Sequence, residues 1–163
     1  MNGKVLVAGI GNIFLGDDAF GVEVVQRLAK LSLPENVEVR DFGIRGYDLA
    51  YALMEDWDLT ILVDALPQGQ PPGTLYTFEP ELPDGAESVS SPDAHSMNPV
   101  SVLHMVWALG GHFGRILVLG CEPEIVEAND DGRIGLSAPV EAAVDEAVGI
   151  IWQLIMQNKV AAA

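Results

Sequence analysis

The chain has 163 residues, a length at which one domain buries enough apolar surface to fold without disulfides or metal staples. Its 24 acidic and 8 basic residues give a formal charge of −16, which repels phosphate backbones and anionic lipid. We therefore expect no nucleic acid partner and no membrane partner, and we interpret the acidity as a source of solubility rather than as a surface for a basic partner.

Two further sequence features concern the compartment. Cys121 is the single cysteine, so the chain can form no internal disulfide, which fits the reducing cytoplasm. The apolar N-terminal run ends at Asp17-Asp18 without a cleavage pattern, and the uncharged stretch Ala94 to Gly114 contains histidines, glycines and a proline. We predict a soluble cytoplasmic protein with neither a signal peptide nor a spanning helix.

The first part of the chain predicts a strand, a loop and a helix. Lys4 to Ile10 is a short apolar run, typical of a strand that is covered on both faces of a parallel sheet. The glycines of Gly9-Ile10-Gly11-Asn12 interrupt it. Helical spacing then follows at Phe20, Val24, Leu28 and Leu31, with Arg27 and Lys30 near the helix end, where cations suit the dipole.

The same pattern repeats and then ends on a third strand. Val37 to Asp41 is the predicted second strand, Gly43 and Gly46 mark the turn, and Tyr47 to Glu55 is a short helix. The third strand, Leu59 to Val63, ends on Asp64, and the prolines and glycines of Pro67 to Gly73 predict a loop.

The rest of the chain predicts two strands and two long helices. Thr74 to Phe78 is a strand whose direction the pattern leaves open, and Pro80 to Asp93 is a long loop of the kind that is usually functional. A helix begins with Asn98 as N-cap and Pro99 in its first turn, carries Leu103, Val106 and Leu109, and stops at Gly110-Gly111. The final elements are a strand at Ile116 to Gly120, a turn at Asn129 to Gly132, and a helix from about Pro139 with Val140, Val144, Val148, Ile151 and Ile155 on one face.

Strands that alternate with helices predict an α/β fold, a three-layer α/β/α sandwich around a mostly parallel twisted sheet of about five strands. We see no internal repeat and no linker, so residues 1–163 are predicted to form a single domain. In such folds ligands bind beyond the carboxyl ends of the strands. Candidate site residues are therefore sought in the loops that follow the strands.

Two neighbouring carboxylates, Asp17 and Asp18, lie in the loop after the first strand. An N-cap with a favourable acid in the first turn explains one of them, and we assign that role to Asp17. The side chain of Asp18 projects in a different direction from that of Asp17, and Asp18 remains a candidate metal ligand.

A dinucleotide-binding module is an alternative interpretation of the same loop. Gly9 and Gly11 match two positions of the G-x-G-x-x-G fingerprint, and Asp41 could contact a ribose. The third glycine position holds Phe14, however, and the two acids place negative charge where a pyrophosphate would bind. The match is therefore weak.

Two more candidates lie at predicted strand or helix ends. Asp64 follows the apolar run of the third strand, and the prolines beyond it argue against a mere helix N-cap. His95 lies in a loop just before the Pro99 helix, where an open site could use it. We interpret His104 as a packed or partly exposed helix residue and His112 as a surface loop residue.

Together, Asp18, Asp64 and His95 suit a divalent transition metal such as zinc, nickel, iron or manganese, with water or substrate as further ligands. Their convergence depends on the predicted fold, because they are far apart in sequence. A nucleophilic alternative has little support, since there is no G-x-S-x-G elbow and Cys121 follows a strand without a neighbouring base. We predict that Cys121 is a buried, small apolar side chain.

Five sequence blocks, in order along nearly the whole chain, resemble the hydrogenase maturation endopeptidases. They are VLVAGIGNIFLGDDAFG (Val5 to Gly21), DFGIRG (Asp41 to Gly46), ILVDAL (Ile61 to Leu66), DAHSMNP (Asp93 to Pro99) and LGCEPE (Leu119 to Glu124). The G-x-G-N start, the acid pair, the strand-end Asp and the loop His form a specific combination.

The resemblance implies an endopeptidase that removes a C-terminal extension from a nickel-iron hydrogenase large-subunit precursor after nickel insertion. It places the three metal-binding positions on Asp18, Asp64 and His95, with Asp18 where many members have Glu, and it makes Asp41 a supporting residue of the catalytic site. Nickel would be supplied by the precursor, with no permanently bound cofactor. A noncatalytic chaperone that binds the precursor and senses nickel remains an alternative.

Overall fold

The computed structural model describes residues 3–81, 99–124 and 134–161. They form five strands, four α-helices and one short 3-10 turn. The strands are β1 (Val5–Ile10), β2 (Val37–Gly43), β3 (Leu59–Ala65), β4 (Leu75–Phe78) and β5 (Arg115–Cys121). The helices are α1 (Phe20–Leu28), α2 (Gly46–Leu53), α3 (Pro99–Ala108) and α4 (Ala138–Ala161), and the 3-10 turn is Gly16–Ala19.

The five strands form one sheet in the order β2-β1-β3-β5-β4. The first four are parallel, and β4 pairs antiparallel with β5 at the edge. The predicted mostly parallel sheet of about five strands is confirmed. The direction of β4, which the sequence left open, follows from its short connection to β3 and its place on the outer side of β5.

The sheet lies between two helical layers, as predicted. β1 and β3 are buried along their whole length, which explains why their sequences are almost uniformly apolar rather than alternating. One core contains Phe20 and Leu28 of α1 together with Val144 and Ile151 of α4. The core on the opposite face contains residues of α2 and α3, such as Leu49 and Leu103. Helices on both faces give the three-layer sandwich.

Some predicted boundaries are wrong. Helix α1 ends at Leu28, because the N–H groups of Lys30 and Leu31 bond to carbonyls three residues back, and Leu31 is exposed. Leu109 lies beyond α3 and is also exposed. Most of the predicted Pro80 to Asp93 loop, the N-cap Asn98 and the turn Asn129 to Gly132 lie outside the described residues. Within the part of the chain described, no helix is both long and apolar enough to cross a membrane.

Candidate active site

The loops after β1 and β3 meet at one edge of the sheet. The chain leaves β1 toward α1 on one face and reaches α3 on the other face after β3, so neighbouring strands send their connections in opposite directions. A crevice forms at such a switch point. Gly9 pairs with Val63, so Asp64, one residue further along β3, emerges beside the end of β1.

Asp18 reaches this edge from the 3-10 turn between β1 and α1. Its Oδ2 accepts a hydrogen bond of 2.8 Å from the backbone N–H of Asn12. Gly11 has a φ of +147°, and a Cβ there would lie 1.8 Å from the carbonyl oxygen of Asp18. Only glycine fits this contact, so Gly11 allows the loop to fold back and present the Asp18 carboxylate.

Asp18 and Asp64 lie near each other at this edge of the sheet. Burial, together with the charge of Asp18, raises the pKa of Asp64 well above its usual value, although the Ala65 N–H bonded to Asp64 Oδ1 at 2.8 Å lowers it in part. Burial also raises the pKa of Asp18, against the effect of the bond from Asn12. Two partly desolvated acids that repel each other form an arrangement typical of functional sites.

Asp41 stands apart from this pair. Asp41 pairs with Gly9 from the β2 side, whereas Asp64 lies on β3, so two strand spacings, about 10 Å, separate their backbones. Its Oδ1 accepts the Gly43 N–H at 2.8 Å. His95 lies outside the described residues, within which no cluster of three or more metal-binding side chains occurs.

The predicted N-cap role of Asp17 is wrong. Leu15 precedes the 3-10 turn, and no side-chain cap bond is formed there. Asp17 lies in the first turn but points into the protein, where it is fully buried. Its carboxylate accepts hydrogen bonds from the backbone N–H of Glu124 at 2.8 Å, the N–H of Ser137 at 2.7 Å and the Ser137 hydroxyl at 2.8 Å. Asp17 therefore ties the Asp18 turn to the end of β5 and the start of α4.

Glu122 is a supporting residue that the sequence analysis placed only within a family-like block. This buried carboxylate accepts hydrogen bonds from the N–H groups of Gln68 and Gly69 and from the Tyr76 hydroxyl. Burial alone would raise the pKa of Glu122, but these bonds together lower it. Its contacts hold the loop that follows Asp64. An acid directly after an apolar strand was the available signal.

Cys121 and the two described histidines match their predictions. Cys121 is buried, and burial raises the pKa of its thiol to about 12, so it is a poor nucleophile. His104 is half-buried in α3, and His112 is exposed beyond it.

His104→Ala and His112→Ala are expected to be mild, because neither side chain belongs to the Asp18–Asp64 edge. The free energy of unfolding of each variant should lie within about 1 kcal/mol of the wild-type value, as is usual for substitutions at surface and partly exposed positions. Thermal unfolding and peptide processing, measured in parallel with His95→Ala, check this. Processing lost in either variant while the protein stays folded would place a second histidine in the site.

The glycines that suggested a dinucleotide fingerprint have packing roles. A Cβ at Gly9 would lie 2.4 Å from the Val25 side chain, and one at Gly21 would lie 2.1 Å from the Val63 carbonyl. Both glycines let α1 approach the sheet closely, while Gly11 accommodates the Asp18 turn. Helix packing and loop closure thus account for the G-x-G spacing.

Comparisons with known proteins identify the family of the chain. The sequence profile of the hydrogenase maturation protease family matches residues 22–154. A Methanocaldococcus jannaschii protein named as belonging to that family is 38% identical over 149 residues, covering 90% of this chain and 93% of the relative. The hydrogenase 2 maturation protease of Escherichia coli is 31% identical over 162 residues, covering 98% and 94%.

A solved structure gives the same result for the fold. The hydrogenase maturating endopeptidase HybD from Escherichia coli superposes with a TM-score of 0.74 at 28% sequence identity, covering 94% of this chain and 93% of that one. The family profile begins within α1 and ends within α4, so it includes every described strand except β1. The chain is therefore a peptidase that belongs to the hydrogenase maturation protease family.

Proposed function

We propose that this peptidase removes the C-terminal extension of a nickel-iron hydrogenase large-subunit precursor after nickel has been inserted. The observation that carries the proposal is the Asp18–Asp64 pair at the switch point of the sheet. The two carboxylates are close enough that the charge of Asp18 raises the pKa of Asp64. The buried Cys121 suits a reaction in the reducing cytoplasm.

The chemistry of this pair fits a divalent cation. Two ionised carboxylates at a desolvated edge repel each other. A cation bound between them would replace this repulsion with attraction. Carboxylate oxygens, with an imidazole, are suitable ligands for nickel. In this proposal Asp18, Asp64 and His95 engage nickel that arrives as part of the precursor, so the precursor without nickel is a poor substrate.

The residues of the chain have separate tasks in this scheme. Nickel held at the site would polarise the scissile carbonyl or activate water. A carboxylate of the Asp18–Asp64 pair accepts a proton from the attacking water, and the leaving amine takes up a proton as the carbon–nitrogen bond breaks. Asp41 supports the site from the β2 side, and Asp17 and Glu122 hold the loops that carry Asp18 and Asp64.

Mass spectrometry of a purified precursor tests the proposal. Nickel-loaded and nickel-free large subunit would each be incubated with the wild-type protein and with Asp64→Asn, which controls for contaminating proteases. We expect one discrete C-terminal peptide to be released from the nickel-loaded precursor by the wild type alone.

Other outcomes would decide between the alternatives. A nickel-loaded precursor that binds the protein but remains full length would favour the noncatalytic chaperone. Equal cleavage with and without nickel would show that the protein is a peptidase that does not require nickel in its substrate. Micromolar binding of NAD or ATP, with no metal binding, would favour the nucleotide-binding module.

A further inference from the structure

Three large apolar side chains are exposed on two neighbouring loops beside the candidate active site. Ile13 and Phe14 follow β1 and are 46% and 58% exposed, and Ile44 follows β2 and is 63% exposed. Single exposed apolar residues are common, but several that meet at one place usually mark a binding surface. None of these three side chains has a task in the chemistry proposed above.

The three side chains line a cleft of about 310 Å³, with Asn12, Asp41 and Arg45. This volume is near the lower end for ligand pockets, roughly enough for one or two side chains rather than a whole cofactor. The Arg45 guanidinium donates hydrogen bonds to the carbonyls of Asp41 and Phe42 and lies 3.5 Å from Asp48. Because its charge is already balanced locally, the cleft does not favour an anionic ligand such as a nucleotide.

The cleft adjoins the turn that carries Asp18. Asn12 forms part of its wall, and the N–H of the same residue donates to Asp18 Oδ2. A chain bound in the cleft would therefore have its neighbouring residues at the carboxylates, since an extended peptide advances about 3.3 Å per residue.

The cleft is also held in shape before any ligand binds. The Gly11 N–H donates to the Gly43 carbonyl at 2.9 Å, which joins the two loops. Within the first loop, the Phe14 N–H donates to Asn12 Oδ1 at 2.9 Å. A preformed site binds its ligand without the cost of ordering the loops.

We propose that this cleft is a specificity subsite for an extended peptide, and that it packs one large apolar side chain of the precursor, close to the scissile bond, against Phe14 and Ile44. The inference rests on the proposed function, because it takes the precursor as the ligand. It goes further by assigning a role in substrate selection to residues outside the carboxylate pair.

Steady-state kinetics on nickel-loaded precursor test the subsite. Phe14→Ala and Ile44→Ala should each raise KM about tenfold, the factor that loss of one good apolar contact carries, while kcat stays within about twofold. Tyr51→Ala is the matched control, since Tyr51 is 72% exposed on α2 and does not line the cleft. Its KM should be unchanged. Phe14→Leu, which keeps an apolar side chain, covers the case in which Phe14→Ala fails to fold.

A double-mutant cycle identifies the ligand side chain. Each large apolar residue within about three positions of the scissile bond of the precursor would be changed to Ala in turn. For the one that occupies the cleft, Phe14→Ala should add no further rise in KM, because the contact is already gone.

Failure of the subsite and failure of the proposed function give different results. If the wild type cleaves the precursor and both cleft variants keep the wild-type KM, the subsite is overturned. A rise in KM that is independent of every precursor substitution would also overturn it. If the wild type cleaves no precursor at all, the proposed function fails first.

Discussion

Asp18→Asn and Asp64→Asn are expected to reduce processing of nickel-loaded precursor by at least about a hundredfold, and His95→Ala is expected to do the same. Asn keeps the shape of Asp but cannot supply the negative charge that a divalent cation requires, and removing a direct ligand costs at least as much as removing its supporting contacts. Asp56→Asn is the matched control. It makes the same charge change at an exposed position beyond α2, before β3 begins, away from the carboxylate edge.

Asp64→Asn should leave the protein at least as stable as the wild type. Because the pKa of Asp64 is raised in the folded state, its favourable contribution is present below about pH 4 and is lost as pH rises through the folded pKa. At neutral pH the wild type therefore carries a cost, either of burying this charge beside Asp18 or of keeping the Asp64 carboxyl protonated. The neutral amide of the Asp64→Asn variant would avoid this cost, and its oxygen could still accept the bond from the Ala65 N–H.

Thermal unfolding of both proteins without metal at pH 4 and at pH 7 measures this. The Tm of Asp64→Asn relative to wild type should increase toward pH 7, while processing is lost. Full processing by Asp64→Asn or by His95→Ala would refute the proposed site. A variant that loses activity only because it unfolds would show that Asp64 has a mainly structural role.

The sequence predicted the parts of this site that follow from local pattern. An apolar run that ends on an acid identified Asp64, and parallel strands with helical connections placed it beside the β1 loop. The local sequence pattern does not show whether a strand as short as β4 pairs parallel or antiparallel. The direction depends on which edge of the sheet is free to accept the strand. The sequence pattern also predicted that α1 reaches Leu31. The apolar spacing continues to that residue, although the hydrogen bonds have already changed to the tighter 3-10 type.

The roles of Asp17 and Asp18 could not be separated by sequence alone. In a 3-10 turn successive side chains project about 120° apart, so two neighbouring acids face different surroundings. One reaches the switch point, and the other is buried against the start of α4. The described partners Glu124 and Ser137 are 107 and 120 residues away from Asp17, beyond the reach of any local pattern. The same holds for Glu122, whose contacts lie on the loop after β3 and on β4.

Asp17 should consequently be among the most destabilising positions to mutate. Among the described residues its two oxygens accept three hydrogen bonds, and Asp17→Ala would leave the buried N–H groups of Glu124 and Ser137 without this partner. The expected cost is about 3 kcal/mol or more, well above that of a lost N-cap. Ser137→Ala, which removes only the bond from the Ser137 hydroxyl, should cost only about 1 kcal/mol.

Asp17→Asn tests the geometry more closely. Both carboxylate oxygens accept hydrogen bonds from backbone N–H groups, so either orientation of an Asn amide directs its NH₂ group at one of those donors. We expect an intermediate loss of about 1 to 3 kcal/mol. Equilibrium denaturant unfolding, with Ser137→Ala measured alongside, should show stability falling from the wild type through Asp17→Asn to Asp17→Ala. Folded Asp17→Asn should still cleave precursor detectably, because the Asp18 carboxylate is retained. A loss below about 1 kcal/mol in Asp17→Ala would contradict the buried network, and abolished cleavage at unchanged stability would mean that Asp17, rather than Asp18, is the acid that acts on the substrate.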